Sequence, residues 1–442
     1  MSWRSRGAGS VIPCSGRDGV TPLLFCNASQ VVTCAGPARA RRGGEMRDMG
    51  VVSDAAVAVV GDRIAAVAPL GDLERNFARA ERIDCNRGVI MPGLVDSHTH
   101  AIFGAPRAAE QEARAAGADY MAIAAGGGGI HASVRDLRAR SEDELYALAM
   151  PRLARLASFG ATTVEVKSGY GLTVDDELKA LRVIRRLATA LPLRLVPTWL
   201  GAHEIPLECR STPSARASYI RLLVDEMLPR VLAEGLATFA DAFCEPGAFT
   251  VDETRRVLSA ARDAGLGIKL HADELRASGG AELAAELGAT SADHLGAISA
   301  SGIDALARAQ TVATLLPGTM LFLGKSTQAP ARELLEAGAA VALATDFNPG
   351  TSPTPNLPLI LTLAVSQLRM SVAEAIIAAT VNGAAALGLA GSIGQVAPGF
   401  SADLAVFEVD DVREIPYWYG DRRCRATWLR GKACYQFDLG IG

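Results

Sequence analysis

The stretch Pro92-Gly93-Leu94-Val95-Asp96-Ser97-His98-Thr99-His100 joins a short apolar run to two histidines that lie two residues apart. Side chains at positions i and i+2 of an extended segment project to the same face, so His98 and His100 can converge on one point. The run Leu94–Ser97 is also the first of several apolar runs of this kind. Their number and spacing predict the fold.

Short apolar runs alternate with segments of helical period through the middle of the chain. This alternation is typical of βα units on a parallel sheet, and eight such units close into a (β/α)8 barrel. The eight runs are Leu94–Ser97, Thr162–Val166, Leu193–Leu200, Thr238–Phe243, Gly267–Leu270, Ala289–Ala292, Thr311–Leu315 and Val341–Thr345. The helical candidates between them are Glu142–Ala157, Asp175–Ala190, Ala217–Glu234, Val251–Ala264, Gly280–Leu287, Gly302–Ala309 and Ala331–Ala337.

The segments on either side of the predicted barrel contain short β-branched runs broken by turn residues. These runs are Gln30–Thr33, Ala56–Val60, Arg63–Val67, Gly88–Ile90, Ala402–Phe407 and Arg425–Leu429. We therefore expect an α/β protein in which a TIM barrel over 90–389 carries a small β-sandwich domain built from both chain ends, 23–89 and 390–438. Residues 1–22 lack the apolar core of a secretory signal and are expected to be a disordered leader, with an organelle-targeting segment as the alternative.

Composition limits the classes of partner. The formal net charge of −4 over 442 residues provides no basic field for nucleic acid, and no apolar run approaches the 18 or more residues of a membrane span. Eight cysteines are scattered without a C-x-x-C pair, which argues against a thiolate zinc site and favours a reducing cytoplasm. A small-molecule substrate is the expected partner, rather than nucleic acid or a membrane.

Polar residues that follow the apolar runs predict a metal site, because a barrel places its active site at the carboxyl ends of its strands. Five of the six histidines of the chain fall at such positions, and Asp346 follows the last run. These residues are His98, His100, His203, His271, His294 and Asp346. Imidazole and carboxylate ligands suit zinc or iron, so we expect one divalent ion on His98, His100, His271 and Asp346.

Each of these assignments has a simpler alternative. His98 and His100 could be polar loop residues, and Asp346 could cap the turn that Asn348-Pro349-Gly350 begins. His294 could be a further ligand, although polarising a substrate carbonyl is the interpretation we favour. Lys167 could be a carboxylated lysine between two metal ions, but we expect a one-metal site.

Several longer segments resemble the imidazolonepropionase family, within the metal-dependent amidohydrolase superfamily. The segment Pro92–His100 is similar to the superfamily's opening motif, and the later segments narrow the likeness to one family over nearly the whole chain from about residue 23. These later segments are Glu165–Leu172 (EVKSGYGL), Leu200–His203 (LGAH), Lys269–Glu274 (KLHADE), Ser291–His294 (SADH), Leu315–Gly318 (LLPG) and Ala344–Pro353 (ATDFNPGTSP).

The resemblance implies a five-membered imidazolone ring with a propionate tail as the substrate. Arg107 would grip the carboxylate, since a guanidinium holds it by two parallel hydrogen bonds. The other substrate-binding residues implied by the resemblance are Tyr170, His203, Glu274, Asn348 and Gly350. Pro106 departs from the family pattern, in which a small polar residue is expected, and this bears on the orientation of Arg107.

The implied reaction is hydrolytic opening of the ring by a metal-activated water to give N-formimidoyl-L-glutamate. Asp346 would transfer protons, His294 and His203 would stabilise the developing oxyanion, and Glu274 would contact a ring nitrogen. The resemblance also implies a homodimer. A deaminase or another cyclic-amide hydrolase with the same metal ligands is the nearest alternative, and a scaffold without activity is a more distant one.

Overall fold

The structure is a computed structural model that describes residues 21–117 and 128–436. Most of the predicted leader, residues 1–20, lies outside the described residues, as do positions 437 and 438 of the predicted β-sandwich. None of the helices within the described ranges is both long and apolar enough to cross a membrane.

Eight parallel strands form one sheet in chain order, and each strand pairs with the next. They are β8 (Leu94–Asp96), β9 (Ala161–Lys167), β10 (Arg194–Ala202), β11 (Phe239–Cys244), β12 (Gly267–Ala272), β13 (Ser291–His294), β14 (Val312–Leu315) and β15 (Ala340–Leu343). Each predicted run overlaps one of these strands. Every residue of β9 is buried, as expected for a parallel strand covered on both faces. The predicted TIM barrel is therefore confirmed.

Helices lie between the barrel strands and also before and after the barrel segment of the chain. Their bounds are α1 (Leu70–Asn76), α2 (Ala108–Ala115), α3 (Ile130–Ala139), α4 (Glu142–Ala157), α5 (Val174–Ala190), α6 (Pro213–Leu222), α7 (Leu228–Ala233), α8 (Val251–Asp263), α9 (Gly280–Leu287), α10 (Ala300–Arg308), α11 (Pro317–Phe322), α12 (Ala331–Glu336), α13 (Leu357–Ser366), α14 (Val372–Ala378), α15 (Val381–Ala385) and α16 (Glu414–Tyr417). Ser141 and Thr250 cap α4 and α8 with capping boxes, which fixes where these two helices begin.

The helix predicted over Ala217–Glu234 contains a π-helical segment, Leu223–Met227, between α6 and α7, and the backbone stays helical across it. Pro229 accounts for the local change in hydrogen bonding, because it has no N–H to donate to the carbonyl four residues earlier and its ring crowds that carbonyl.

Two further sheets come from the chain ends. Strands β1 (Leu23–Cys26), β4 (Ala55–Val60), β5 (Arg63–Pro69) and β6 (Glu81–Asp84) form a four-stranded sheet in the order β5-β4-β1-β6. Strands β2 (Gln30–Val32), β3 (Val51–Ser53), β7 (Val89–Pro92), β16 (Leu404–Phe407), β17 (Cys424–Leu429) and β18 (Lys432–Gln436) form a six-stranded sheet in the order β18-β17-β16-β7-β2-β3.

One apolar cluster joins the two smaller sheets. Phe25 and Val57 from the first sheet pack with Ile90, Leu404 and Trp428 from the second. The six-stranded sheet combines strands from both chain ends, as the sequence predicts. Because β7 spans residues 89–92 and pairs within this sheet, it crosses the predicted domain boundary at 89/90; the boundaries themselves stay predictions.

Backbone hydrogen bonds beyond the strand ends join the first barrel strand to the last. The Asp346 N–H donates to the His98 carbonyl over 3.0 Å, and the His100 N–H donates to the Phe347 carbonyl over 2.9 Å. The carboxylate of Asp96 accepts hydrogen bonds from the backbone and the hydroxyl of Thr345. This seam brings His98, His100 and Asp346 to one point on the rim.

Candidate metal centre

Four side chains converge at the carboxyl ends of the barrel strands. Nε2 of His100 lies 3.2 Å from Nε2 of His98 and 3.3 Å from Nε2 of His271. Asp346 Oδ1 lies 3.6 Å from Nε2 of His98 and 3.5 Å from Nε2 of His100. A tetrahedral zinc ion with Zn–N bonds near 2.05 Å would place its ligand atoms about 3.3 Å apart. The spacing of these donor atoms therefore fits one metal ion.

The protonation of the histidines also fits a metal. Nδ1 of His98 lies 2.7 Å from Asp293 Oδ2, so the proton resides on Nδ1 and the Nε2 lone pair faces the other ligands. Burial holds the pKa of both His98 and His100 well below the usual value, which keeps the imidazoles neutral. Neutral imidazole is the form that binds a metal ion. Nδ1 of His271 similarly lies 3.0 Å from Asp241 Oδ2.

Buried charged side chains inside the barrel contact Asp293 and Asp241, the two carboxylates next to His98 and His271. Lys167 Nζ donates to Glu165 over 2.9 Å and to Asp241 over 2.7 Å, and it lies 3.9 Å from Asp293. Lys269 Nζ donates to the Ser97 carbonyl over 2.7 Å.

Burial by itself would lower the pKa of Lys167, but the surrounding carboxylates of Asp241, Glu165 and Asp293 raise it above the usual value. Lys167 is therefore a charged ammonium held by carboxylates. A carboxylated lysine carries a negative charge, and three neighbouring carboxylates would disfavour it. This arrangement agrees with the one-metal interpretation.

Asp346 adopts a left-handed backbone conformation, with φ of 52°. Its Oδ2 accepts a hydrogen bond of 2.6 Å from the Thr319 hydroxyl, while Oδ1 faces the histidines. Burial raises the pKa of Asp346 to about 6. A carboxylate with a pKa near neutrality is suited to accept and return a proton.

His294 and Glu274 form the adjoining wall of the site. Nδ1 of His294 lies 3.8 Å from Glu274 Oε2, and burial raises the pKa of Glu274 to about 8, with further contributions from Asp346 and Glu245. His294 is also close enough to His98 and Asp346 to share an ion with them. Both roles considered for His294 are therefore compatible with its position.

His203 and Tyr170 lie on the other side. Nδ1 of His203 donates to the Gly169 carbonyl over 2.9 Å, which leaves Nε2 as a lone-pair acceptor. The His203 ring stacks on His100 at a centroid distance of 5.0 Å, and the buried Tyr170 ring lies 5.3 Å from His203. The Tyr170 ring is tilted by 47° from His203, so the two rings form an angled aromatic wall beside the metal ligands.

Most of the candidate ligands and substrate-binding residues open into one cavity of about 490 Å³, whereas His98 is fully buried beneath it and Gly350 is not part of its lining. The lining is formed by His100, Arg107, Glu110, Arg114, Gly129, Ile130, Tyr170, His203, Phe243, His271, Glu274, Leu275, His294, Leu323, Lys325, Asp346, Asn348 and Thr351. Asn348 uses its side chain to fold the strand-end loop, since its Oδ1 accepts hydrogen bonds from the N–H groups of Gly350 and Thr351.

Several residues that support the site carry no clear signal in the sequence. Asp241, Glu165 and Lys269 lie inside barrel strands, where alternation gives no sign that a polar side chain points toward a metal. Asp293 and Glu165 belong to the quoted segments SADH and EVKSGYGL, but no role was predicted for either. A polar residue inside an otherwise apolar barrel strand was the available signal.

Comparison with known proteins agrees with this geometry. A model of the amidohydrolase family matches residues 104–435. Curated imidazolonepropionases from Solibacter usitatus and Chloroflexus aggregans are 45% and 47% identical, each over 93% of this chain and over 98% and 97% of their own lengths. A third, from Geobacillus kaustophilus, is 45% identical over 93% of this chain and 97% of its own.

Among solved structures, two share the fold at low identity. A zinc-bound adenosine deaminase from Xanthomonas campestris has a TM-score of 0.67 at 20% identity and covers 95% of both chains. The ochratoxinase of A. niger has a TM-score of 0.69 at 17% identity and covers 96% of this chain and 98% of its own. Because the curated relatives match along nearly their whole length, this chain belongs to the imidazolonepropionase family of amidohydrolases.

Proposed function

We propose that this chain hydrolyses 4-imidazolone-5-propanoate to N-formimidoyl-L-glutamate, a step of histidine breakdown. The observation that carries the proposal is the convergence of three imidazole nitrogens and the Asp346 carboxylate at the floor of a cavity whose rim carries Arg107. The floor supplies hydrolytic chemistry, and the rim supplies a cation for a carboxylate tail.

His98, His100, His271 and Asp346 would hold one divalent ion, zinc or iron. When bound, such an ion acts as a Lewis acid that makes water nucleophilic at neutral pH. The choice between zinc and iron depends on availability, because a site of three histidines and one aspartate accepts either.

The chain's own residues orient the substrate and move the protons. Water attacks the ring carbonyl carbon, and Asp346 accepts the proton that the water loses. His294 faces the carbonyl oxygen and stabilises the negative charge that develops there, with His203 on the opposite wall. The C–N bond of the ring then breaks, and Asp346 returns its proton to the departing nitrogen.

The ring itself is held by the walls of the cavity. Tyr170 and His203 form one wall, and Glu274 stands on the other, where its raised pKa of about 8 makes it a hydrogen-bond donor to a ring nitrogen at neutral pH. Asn348 and Gly350 shape the loop that closes the cavity beside Arg107.

The cysteines bear on the compartment in which the reaction takes place. The seven cysteines in the described part of the chain are free thiols, which supports a reducing compartment such as the cytoplasm. The expected partner is a small molecule with a carboxylate tail, rather than nucleic acid or a membrane, and the proposed assembly is a homodimer.

The test follows the ultraviolet absorbance of the imidazolone after addition of purified, metal-loaded protein. We expect the absorbance to fall with formation of N-formimidoyl-L-glutamate, and the metal-stripped protein serves as the matched control. If the imidazolone is stable in the presence of the enzyme while an aromatic amine releases ammonia, the chain is a deaminase and the proposal is wrong.

A further inference from the structure

The outer rim of the cavity carries two guanidinium groups that meet at one residue. Arg114 Nη2 donates to the Gly350 carbonyl over 3.0 Å. A Cβ atom added to Gly350 would lie only 2.2 Å from Arg107 Nη1, so the Arg107 guanidinium packs directly on this glycine. Both arginines line the cavity.

One carboxylate holds these two cations together. Glu110 binds Arg107 through two hydrogen bonds of 3.0 and 2.8 Å, and it lies 3.8 Å from Arg114. Positions 110 and 114 share one face of α2, because residues four apart are neighbours on a helix, and Arg107 is the residue immediately before its first turn. Glu110 Oε1 also accepts the N–H of Gly129, which fixes the carboxylate from the other side.

The charge of this rim fits one additional anion. Two guanidinium groups and one carboxylate leave a net charge of +1, and all three side chains are largely shielded from solvent, with exposed fractions of 13%, 12% and 22% for Arg107, Glu110 and Arg114. Shielded charges interact more strongly than exposed ones. A single carboxylate would therefore neutralise the cluster.

Arg114 retains donors for such an anion. Arginine has five N–H groups, and Arg114 donates to Gln111 and to Gly350 among the residues that the structure describes. The ring of Phe322 lies 5.9 Å from its guanidinium and limits where the group can move. The side chain is thus fixed in place at the cavity with N–H groups to spare.

We propose that Arg114 is a second substrate-binding cation that shares the propionate carboxylate with Arg107, while Glu110 positions both guanidinium groups. This inference rests on the proposed function, because it takes the carboxylate tail of that substrate as the ligand. The cluster explains how the enzyme would select an anionic tail over a neutral one of the same length.

A purely structural role for Arg114 makes a different prediction. Loss of its hydrogen bond to Gly350 would loosen the loop and weaken binding of every ligand alike. If Arg114 helps to bind the carboxylate, its loss would instead weaken binding only of ligands that carry a carboxylate. The ratio of the affinity for a ligand with a carboxylate to the affinity for a ligand without one therefore distinguishes the two roles.

The experiment measures binding of imidazole-4-propanoate and of 4-propylimidazole, which has the same ring but no carboxylate, to the metal-loaded protein by calorimetry. Neither probe has a ring carbonyl to hydrolyse. For Arg114→Gln we expect affinity for the carboxylate probe to fall about tenfold, as for loss of a charge-assisted contact, with less than about a twofold change for the probe that lacks the carboxylate. Arg114→Lys keeps the charge and should retain most of the preference.

Arg256→Gln is the matched control, because it removes the same charge from an exposed position on α8. We expect it to bind both probes as the unaltered protein does. Arg114→Gln should lower the affinity for the carboxylate probe by different factors in the unaltered protein and in the Arg107→Gln variant, because the two groups share one ligand.

Equal losses for both probes, or no loss in Arg114→Gln, would overturn the inference. Failure of the proposed function is seen separately, as stable imidazolone in the presence of the unaltered enzyme. An enzyme that lacks that activity but prefers the carboxylate probe in an Arg114-dependent manner would support the inference and refute the proposed reaction.

Discussion

Asp293 Oδ2 lies 2.7 Å from Nδ1 of His98, and both side chains are fully buried. This contact fixes the tautomer of His98 and points its Nε2 at the metal position. The same carboxylate lies within 4 Å of Lys167 and Lys269, so it links the ligand to the charged layer below.

Replacing Asp293 by Asn should therefore weaken metal binding. Carboxylates that orient ligating histidines typically contribute a factor of about 10–100 in metal affinity, and we expect a loss at the lower end because Asn can still accept the Nδ1 proton. Competition with a chelator of known zinc affinity measures the effect. Asp304→Asn, at an exposed position on α10, is the control. Equal zinc affinity in the two variants would contradict the role given to Asp293.

Joint replacement of His98 and His100 by Ala should abolish both bound metal and turnover, because these residues supply two of the four ligand atoms. Metal content by elemental analysis and ring opening by absorbance are the two measurements. His131→Ala is a matched control, since His131 lies on α3 and is the only histidine outside the predicted strand ends. Full activity in the double variant would show that the mechanism is wrong.

Replacing Arg107 by Gln should raise KM about 10–100-fold and change kcat little, because a carboxylate contact acts equally in the ground state and in the transition state. Steady-state kinetics on the imidazolone give both constants. An unchanged KM would remove Arg107 from the substrate site.

Glu274 should make stability depend on pH. Its pKa in the folded protein is about 8, above the value of 4.5 expected after unfolding, so its contribution to stability is complete below about pH 4.5 and is lost as pH rises toward 8. Glu274→Gln cannot titrate. We expect the Tm of the metal-free variant to rise relative to the unaltered protein between pH 5 and pH 8.

Thermal unfolding at several pH values, with Glu112→Gln as the exposed control on α2, checks this expectation. A constant difference in Tm across the range would mean that Glu274 is ionised throughout. If the Tm of the variant instead falls relative to the unaltered protein as pH rises, a cation in the folded protein lowers the pKa of Glu274.

Replacing Lys167 by Met should destabilise the fold. Removal of one partner from a buried ion cluster typically costs about 3–5 kcal/mol, because the remaining charges lose compensation. Urea unfolding measures the loss, and Lys432→Met on the exposed edge strand β18 should cost far less. Equal stability of the two variants would show that the buried cluster relaxes when one charge is removed.

The sequence predicts the barrel well because the prediction rests on local patterns. It also predicts that His98, His100, His271 and Asp346 lie together, because each stands at or just beyond the end of an apolar run, where barrel geometry gathers side chains; their role as metal ligands stays a prediction. The strand bounds were less accurate. Strand β13 spans Ser291–His294 whereas the predicted run is Ala289–Ala292, so His294 is the last residue of the strand rather than two residues beyond it.

The supporting charges depend on contacts that sequence position does not reveal. From the sequence, Arg114 would be interpreted as a surface charge. In the fold, Gly350, which lies 236 residues later in the chain, contacts its guanidinium. Asp241 and Lys167 are likewise 74 residues apart in the chain, and only closure of the barrel brings them together. The short β-branched runs of the chain ends do not predict strands β1, β3, β6 and β18.

The seam between the first and last barrel strands has a consequence for the metal-free protein. His98 and His100 follow the first strand and Asp346 follows the last, so a bound ion would link the two strands. A ligand that binds only the folded state stabilises it by mass action. Without the ion, amide protons along this join should exchange with deuterium sooner than those between the middle strands, and the barrel would begin to open there.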